Sequence, residues 1–161
     1  MTIAFSGSEI IKVAIGVEER GIAFYDVMSR STEDATARAA FHGLAEMERQ
    51  HILIFQDMLA EAGKYQPAPP GDAEYNAYVQ ALVDNAVFTD DMATSETVSH
   101  AESTVAAVEL AIGAEKDSIL FYNAMKEIIP RQAQPTVDKV IAEEKLHLRQ
   151  LSELKKKLQA P

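Results

Sequence analysis

Six side chains recur along this chain in one order, a lone glutamate followed by Glu-x-x-His, and the order is stated twice. They are Glu18, then Glu48 with His51, then Glu115, then Glu144 with His147. The lone glutamates stand 97 positions apart and the Glu-x-x-His pairs 96, so the second half restates the first. On a helix, residues i and i+3 share a face about one turn apart. Each Glu-x-x-His can therefore aim both its side chains at one point. Four helices doing so together form a cage of four carboxylates and two imidazoles, a donor set suited to a pair of transition-metal ions.

The repeat extends beyond these six residues. Ala14-Ile-Gly-Val-Glu18 is echoed by Ala111-Ile-Gly-Ala-Glu115. Ile22, Phe24, Tyr25 and Met28 are matched in the same register by Ile119, Phe121, Tyr122 and Met125. A general likeness of amphipathic helices does not produce identity at glycine, glutamate, phenylalanine and tyrosine in one register; duplication of a two-helix hairpin does. The geometry of a hairpin adds a check, because residues at one height lie equally far from the turn. The midpoint of Glu18 and Glu48 is position 33, inside the helix-breaking run Ser31-Thr-Glu-Asp34. The midpoint of Glu115 and Glu144 is position 129.5, beside Pro130. Both pairs are level across their own hairpins.

Helical periodicity gives four long segments. The first runs from about Glu9 to Arg30, with Ser6 and Glu9 in capping-box spacing and an apolar stripe through Ile11, Ala14, Ile15, Ile22 and Tyr25. The second runs from about Asp34 to Ala62 and is closed by Gly63; the third spans Thr104 to Ile129 and is stopped by Pro130. The fourth starts near Pro135, a residue suited to a first helical turn, and ends at Lys155-Lys-Lys157, whose charges match the helix dipole. Between the second and third lie about 40 residues. They comprise a Pro/Gly-rich segment, Gln66 to Gly71, then a short amphipathic helix from Tyr75 to Phe88, then a polar stretch from Thr89 to Ser103. A connection this long can cross the length of a bundle, since a helix of about 23 residues is about 35 Å long. The expected fold is all-α: a four-helix bundle of two helical hairpins joined by a long crossover containing a short helix, with residues 1–161 as one domain.

Composition narrows the function. A formal charge of -10 argues against nucleic acid and anionic membrane as partners, since both are polyanions. There is no cysteine, which excludes disulfides, thiolate-bound zinc and iron–sulfur clusters within these residues. Met1 to Gly16 lacks the basic start and long apolar run of a secretory signal, and no segment holds the ~20 apolar residues of a membrane span. The cytoplasm is the expected location.

Within the cage, Glu48 and Glu144 are expected to bridge two metals, Glu18 and Glu115 to be terminal ligands, and His51 and His147 to cap one metal each. Helix bundles hold di-iron and di-manganese carboxylate centres with such a set. Four carboxylates and two divalent ions sum to zero charge; without metal, some carboxylates must take up protons to stay buried. Two iron ions are expected, with manganese as the alternative and zinc as a contaminant acquired in purification. Tyr25 and Tyr122 follow the lone glutamates by seven residues on the same face, placed to bond a ligand carboxylate, to pass an electron, or simply to pack. His42 is half a turn out of phase with His51 and should face away; His100 has no ligand-like partner nearby. The repeat pairs Glu46 with Ala142 and Glu143 with Met47, so both glutamates are expected to be dispensable, although Glu143 lies four residues before His147.

Glu18 with Phe24-Tyr25, Glu48-Arg-Gln-His51, Glu115-Lys-Asp-Ser with Phe121-Tyr122, and Glu144-Lys-Leu-His147 together resemble the rubrerythrin branch of the ferritin-like superfamily, across essentially the full length. The resemblance implies a ferritin-like four-helix bundle with a di-iron centre, commonly a homodimer, that handles peroxide or dioxygen. Two departures accompany it. Rubrerythrins proper carry a rubredoxin-like domain with a four-cysteine iron site; here turnover would need an external electron donor protein. Many members also place a further glutamate one turn before the third-helix ligand, where this chain has Ile112, leaving a more symmetric six-ligand set. The expected function is a di-iron oxidoreductase that reduces peroxide or oxidises Fe(II). The alternatives are a non-enzymatic iron-binding or storage-related module, and a partner-binding bundle stapled by its metals.

Overall fold

Four of the five described helices begin where a short polar side chain satisfies an orphan backbone donor of the first turn. Ser6 accepts from the Glu9 amide while the Glu9 carboxylate accepts from the Ser6 amide, a complete capping box. Asp34, Asp72 and Ser103 cap the next three helices, and Pro135 occupies the first turn of the last. A computed structural model describes residues 5–64, 72–86 and 103–161. Its helices are α1 (Gly7–Ser31), α2 (Ala35–Glu61), α3 (Ala73–Asp84), α4 (Thr104–Met125) and α5 (Gln134–Gln159), with no strand among the described residues. The all-α expectation holds. No helix among those residues is long and apolar enough to cross a membrane.

Three boundaries differ from expectation. α2 does not end on a left-handed glycine but tightens into a 3₁₀ turn, Ala62–Lys64, with no described glycine at positive φ. α4 stops at Met125 rather than Ile129; beyond it the chain tightens into a closing turn in which Ile128 and Ile129 both donate back to the Met125 carbonyl. The short helix runs Ala73–Asp84, starting at its aspartate cap, and Val87 and Phe88 lie outside the described residues. So do the Pro/Gly-rich segment from 66 to 71, all but Ser103 of the stretch from 89 to 103, and His100.

α1 lies along α2 and α4 along α5, the two hairpins foreseen from the repeat. The first turn is braced by Arg38, whose guanidinium donates to the Thr32 carbonyl at 2.9 and 3.1 Å. In the second, Gln134 donates to the Lys126 carbonyl at 2.9 Å. Two apolar clusters fill the bundle. One holds Ile10, Ile11, Phe55, Met125, Val137 and Ile141; the other holds Phe24, Phe41, Leu44, Val108, Leu151 and Leu154. A belt of buried polar residues separates them at mid-height. α3 is docked on this frame by buried Val79, by Tyr75 donating to the Ala124 carbonyl, and by Asn76 accepting from the Phe5 amide at 3.1 Å.

Candidate metal centre

Burying four carboxylates in one belt is costly unless each is paired or neutralised. Glu18, Glu48, Glu115 and Glu144 are nonetheless at most 4% exposed, and His51 and His147 at most 1%. The structure brings all six together. The histidine rings lie 5.7 Å apart and 25° from parallel, and both turn Nδ1 toward the carboxylates.

Distances around the two Nδ1 atoms divide the belt into two halves. His51 Nδ1 is 2.9 Å from Glu48 Oε2, 3.1 Å from Glu144 Oε1 and 3.7 Å from Glu18 Oε2. His147 Nδ1 is 3.2 Å from Glu144 Oε2, 3.5 Å from Glu48 Oε1 and 3.7 Å from Glu115 Oε2. Glu48 and Glu144 thus each offer one oxygen to each histidine, while Glu18 and Glu115 each attend one half. In each half, Glu18 with Glu48, His51 and Glu144, or Glu48 with Glu115, Glu144 and His147, four donor atoms lie within 4.8 Å of one another. Glu144 Oε1 is buried without a well-directed hydrogen bond, although His51 Nδ1 is only 3.1 Å away. Carboxylate oxygens and ring nitrogens that converge this closely, one oxygen among them left unsatisfied, suit a cation between them.

The protonation states follow from this crowding. Burial, then the charges of the neighbouring glutamates, pushes Glu18 and Glu115 well above the usual carboxylate range. Burial also opposes ionisation of Glu48 and Glu144, yet hydrogen bonds from the two histidines outweigh it and hold both below that range. For the histidines, burial disfavours the charged ring, but the surrounding carboxylates dominate. His147 is lifted from 6.5 to about 12, and His51 is lifted strongly as well. In the metal-free belt these directions favour protons on Glu18, Glu115 and the two imidazole rings, and ionised Glu48 and Glu144.

Tyr25 and Tyr122 bond ligand carboxylates, and each reaches across to the other hairpin. The Tyr25 hydroxyl donates to Glu115 Oε1 at 2.5 Å and the Tyr122 hydroxyl to Glu18 Oε1. Burial, then the facing carboxylates, raises both phenols far above 10, so they remain donors. His42 is exposed, as its helical phase implied. Glu46 is exposed and pairs with Arg49 at 2.6 Å. Glu143 departs from expectation: its Oε2 lies 2.8 Å from His51 Nε2. Its sequence signal was its place four residues before His147, although it serves the other histidine, and the repeat sets a methionine opposite it.

A pocket of about 40 Å³ reaches the belt from between α1 and α4, under Leu82 and Val83 of α3. Glu18, Glu48 and Glu115 form its inner wall, with Gly21 and its repeat mate Ser118 among the lining residues. At about 10–15 Å³ per water, it holds a few waters or one small oxygen species.

An all-helical bundle with a buried belt of glutamates and histidines defines the ferritin-like diiron-carboxylate class. The rubrerythrin family profile matches residues 9–155, and the chain belongs to the rubrerythrin family. A crystal structure of a Thermotoga maritima protein classed as ferritin-like diiron-carboxylate is 31% identical to it, with a TM-score of 0.69 over 95% of this chain and 96% of that one. A search of curated proteins finds no match. Family and cluster together point to iron.

Proposed function

We propose that Glu18, Glu48, His51, Glu115, Glu144 and His147 hold two iron ions, and that the protein is an oxidoreductase reducing hydrogen peroxide with electrons from a separate donor protein. The split oxygens of Glu48 and Glu144, one to each histidine, carry this reading, because a carboxylate so placed could serve two cations at once. A bound iron pair supplies the two electrons that, with two protons, convert one peroxide to two waters. The protein's own contributions are binding, orientation and exclusion. Tyr25 and Tyr122 fix the terminal carboxylates by hydrogen bonds, the two apolar clusters flank the belt at either end, and the pocket of about 40 Å³ suits a small oxidant. The 161 residues contain no cysteine for an iron–sulfur relay, which supports a donor site lying outside these residues.

Anaerobic loading with ferrous iron, followed by peroxide or air in the presence of excess reductant, tests the proposal. Many turnovers with peroxide, faster than with air, are expected. Fast oxidation by dioxygen with excess ferrous iron favours the ferroxidase form of the reaction. A single stoichiometric oxidation without turnover would replace catalysis with iron storage.

A further inference from the structure

The two histidines differ in one contact. His51 Nε2 lies 2.8 Å from Glu143 Oε2. A carboxylate only accepts, so Nε2 carries the proton. Nδ1 also faces carboxylates, Glu18, Glu48 and Glu144, so a cation arriving there displaces its proton while Glu143 keeps the one on Nε2, which leaves the Nδ1 lone pair for the metal. His147 Nε2 is equally buried but has no hydrogen-bond partner among the described residues. The repeat offset of 96, which relates His51 to His147, relates Glu143 to Met47. A thioether is a weak acceptor, so on that side nothing of comparable strength directs the proton to Nε2. Each Nδ1 faces the same kinds of carboxylate, at 2.9–3.7 Å in one half and 3.2–3.7 Å in the other, so this contact is the largest departure of the duplicated site from symmetry.

We infer that Glu143 is a positioning residue for His51, and that it makes the two metal positions inequivalent: the one at His51 fills first and holds its ion more tightly. The inference rests on the two-metal reading above. Glu143 acts in three ways: it selects the tautomer that can ligate, fixes the plane of the ring, and raises the basicity of Nδ1 through its negative charge. Its side chain is 40% exposed, so replacing it leaves no cavity in the core.

Titrating the chelator-treated full chain with cobalt(II), followed by visible absorption and calorimetry, reads the two positions separately. Wild type should bind in two steps at least about tenfold apart. Glu143→Leu should weaken the first step about 10- to 100-fold, the range seen for such outer partners, and leave the second unchanged. Glu143→Gln, whose amide oxygen still accepts from Nε2, should recover most of that loss. Met47→Glu should strengthen the second step by supplying the missing acceptor. Two indistinguishable steps in wild type, or equal weakening of both by Glu143→Leu, would overturn the inference and leave the two-metal reading standing. A chain that binds no cobalt would remove that reading and the inference with it.

Discussion

The hydroxyl of Tyr25, on α1, donates to Oε1 of Glu115, on α4, across 2.5 Å. Its repeat mate Tyr122, on α4, returns the contact to Glu18 on α1. Each hairpin thus supplies the donor that orients the other's terminal carboxylate. Tyr25→Phe keeps the ring, which packs on Phe24 and Phe41, but leaves a buried acceptor without its donor. The expected loss is about 1–3 kcal/mol of stability, measured by urea unfolding of the chelated protein, together with weaker binding of one metal ion. A variant with unchanged midpoint and unchanged affinity would reduce the tyrosine to packing.

Sharing predicts stoichiometry. Glu48 and Glu144 belong to both halves of the belt, whereas Glu18 and Glu115 each belong to one. Glu48→Ala or Glu144→Ala should abolish binding of both ions, and Glu18→Ala should leave one. Elemental analysis of dialysed protein decides. One ion retained by Glu48→Ala would show that the halves are independent.

Loading exchanges protons for metal. Two divalent ions need four carboxylates and two neutral rings, so Glu18, Glu115, His51 and His147 each release a proton, four in all. Calorimetry in buffers of differing ionisation enthalpy counts them. Stability should respond with opposite sign in the two forms. Groups raised in the folded state stabilise it below their ordinary values, 4.5 for the glutamates and 6.5 for the histidines, and that contribution is lost as pH rises toward the folded values, about 12 for His147. Glu48 and Glu144, depressed on folding, stabilise the protein above 4.5 and cease to do so only as pH falls below it. The melting temperature of the chelated protein should therefore fall between pH 6 and 9. Metal competes with protons, so the increment given by metal should grow over the same interval. A pH-independent increment would contradict these protonation states.

Much of this was legible before any coordinates. Two motifs in one register and two midpoints on breaker residues were enough to place six side chains at one height, because i, i+3 spacing and hairpin symmetry are geometric. What stayed hidden depends on contacts between helices distant in sequence. Periodicity put Tyr25 on the face of Glu18, but the rotation of α1 against α4 directs its hydroxyl to Glu115 instead. Symmetry itself misled at Glu143: the repeat offered Met47 as its mate, which hid a contact that exists on one side alone. The end of α4 at Met125 reflects the closing turn, whose amides at Ile128 and Ile129 share the Met125 carbonyl, a contact that periodicity does not show.

Gly21 lines the pocket beside Glu48. A Cβ there would meet Glu48 Cγ at 3.8 Å, an ordinary contact. Gly21→Ala should therefore fold, keep both ions and gain up to about 1 kcal/mol of helix propensity. Gly21→Val adds two methyl groups facing a pocket of about 40 Å³, with little room to move because Glu48 stands behind it. Metal content should persist while oxidation of the ferrous protein by hydrogen peroxide slows at least about tenfold, the effect of about 1.4 kcal/mol on the barrier. In wild type the same pocket should already discriminate against tert-butyl hydroperoxide, whose four carbons exceed the space. Stopped-flow rates for both oxidants on wild type, Gly21→Ala and Gly21→Val separate access from ligation, because metal content is measured on the same samples. Equal rates in wild type and Gly21→Val would mean that peroxide reaches the belt by another route.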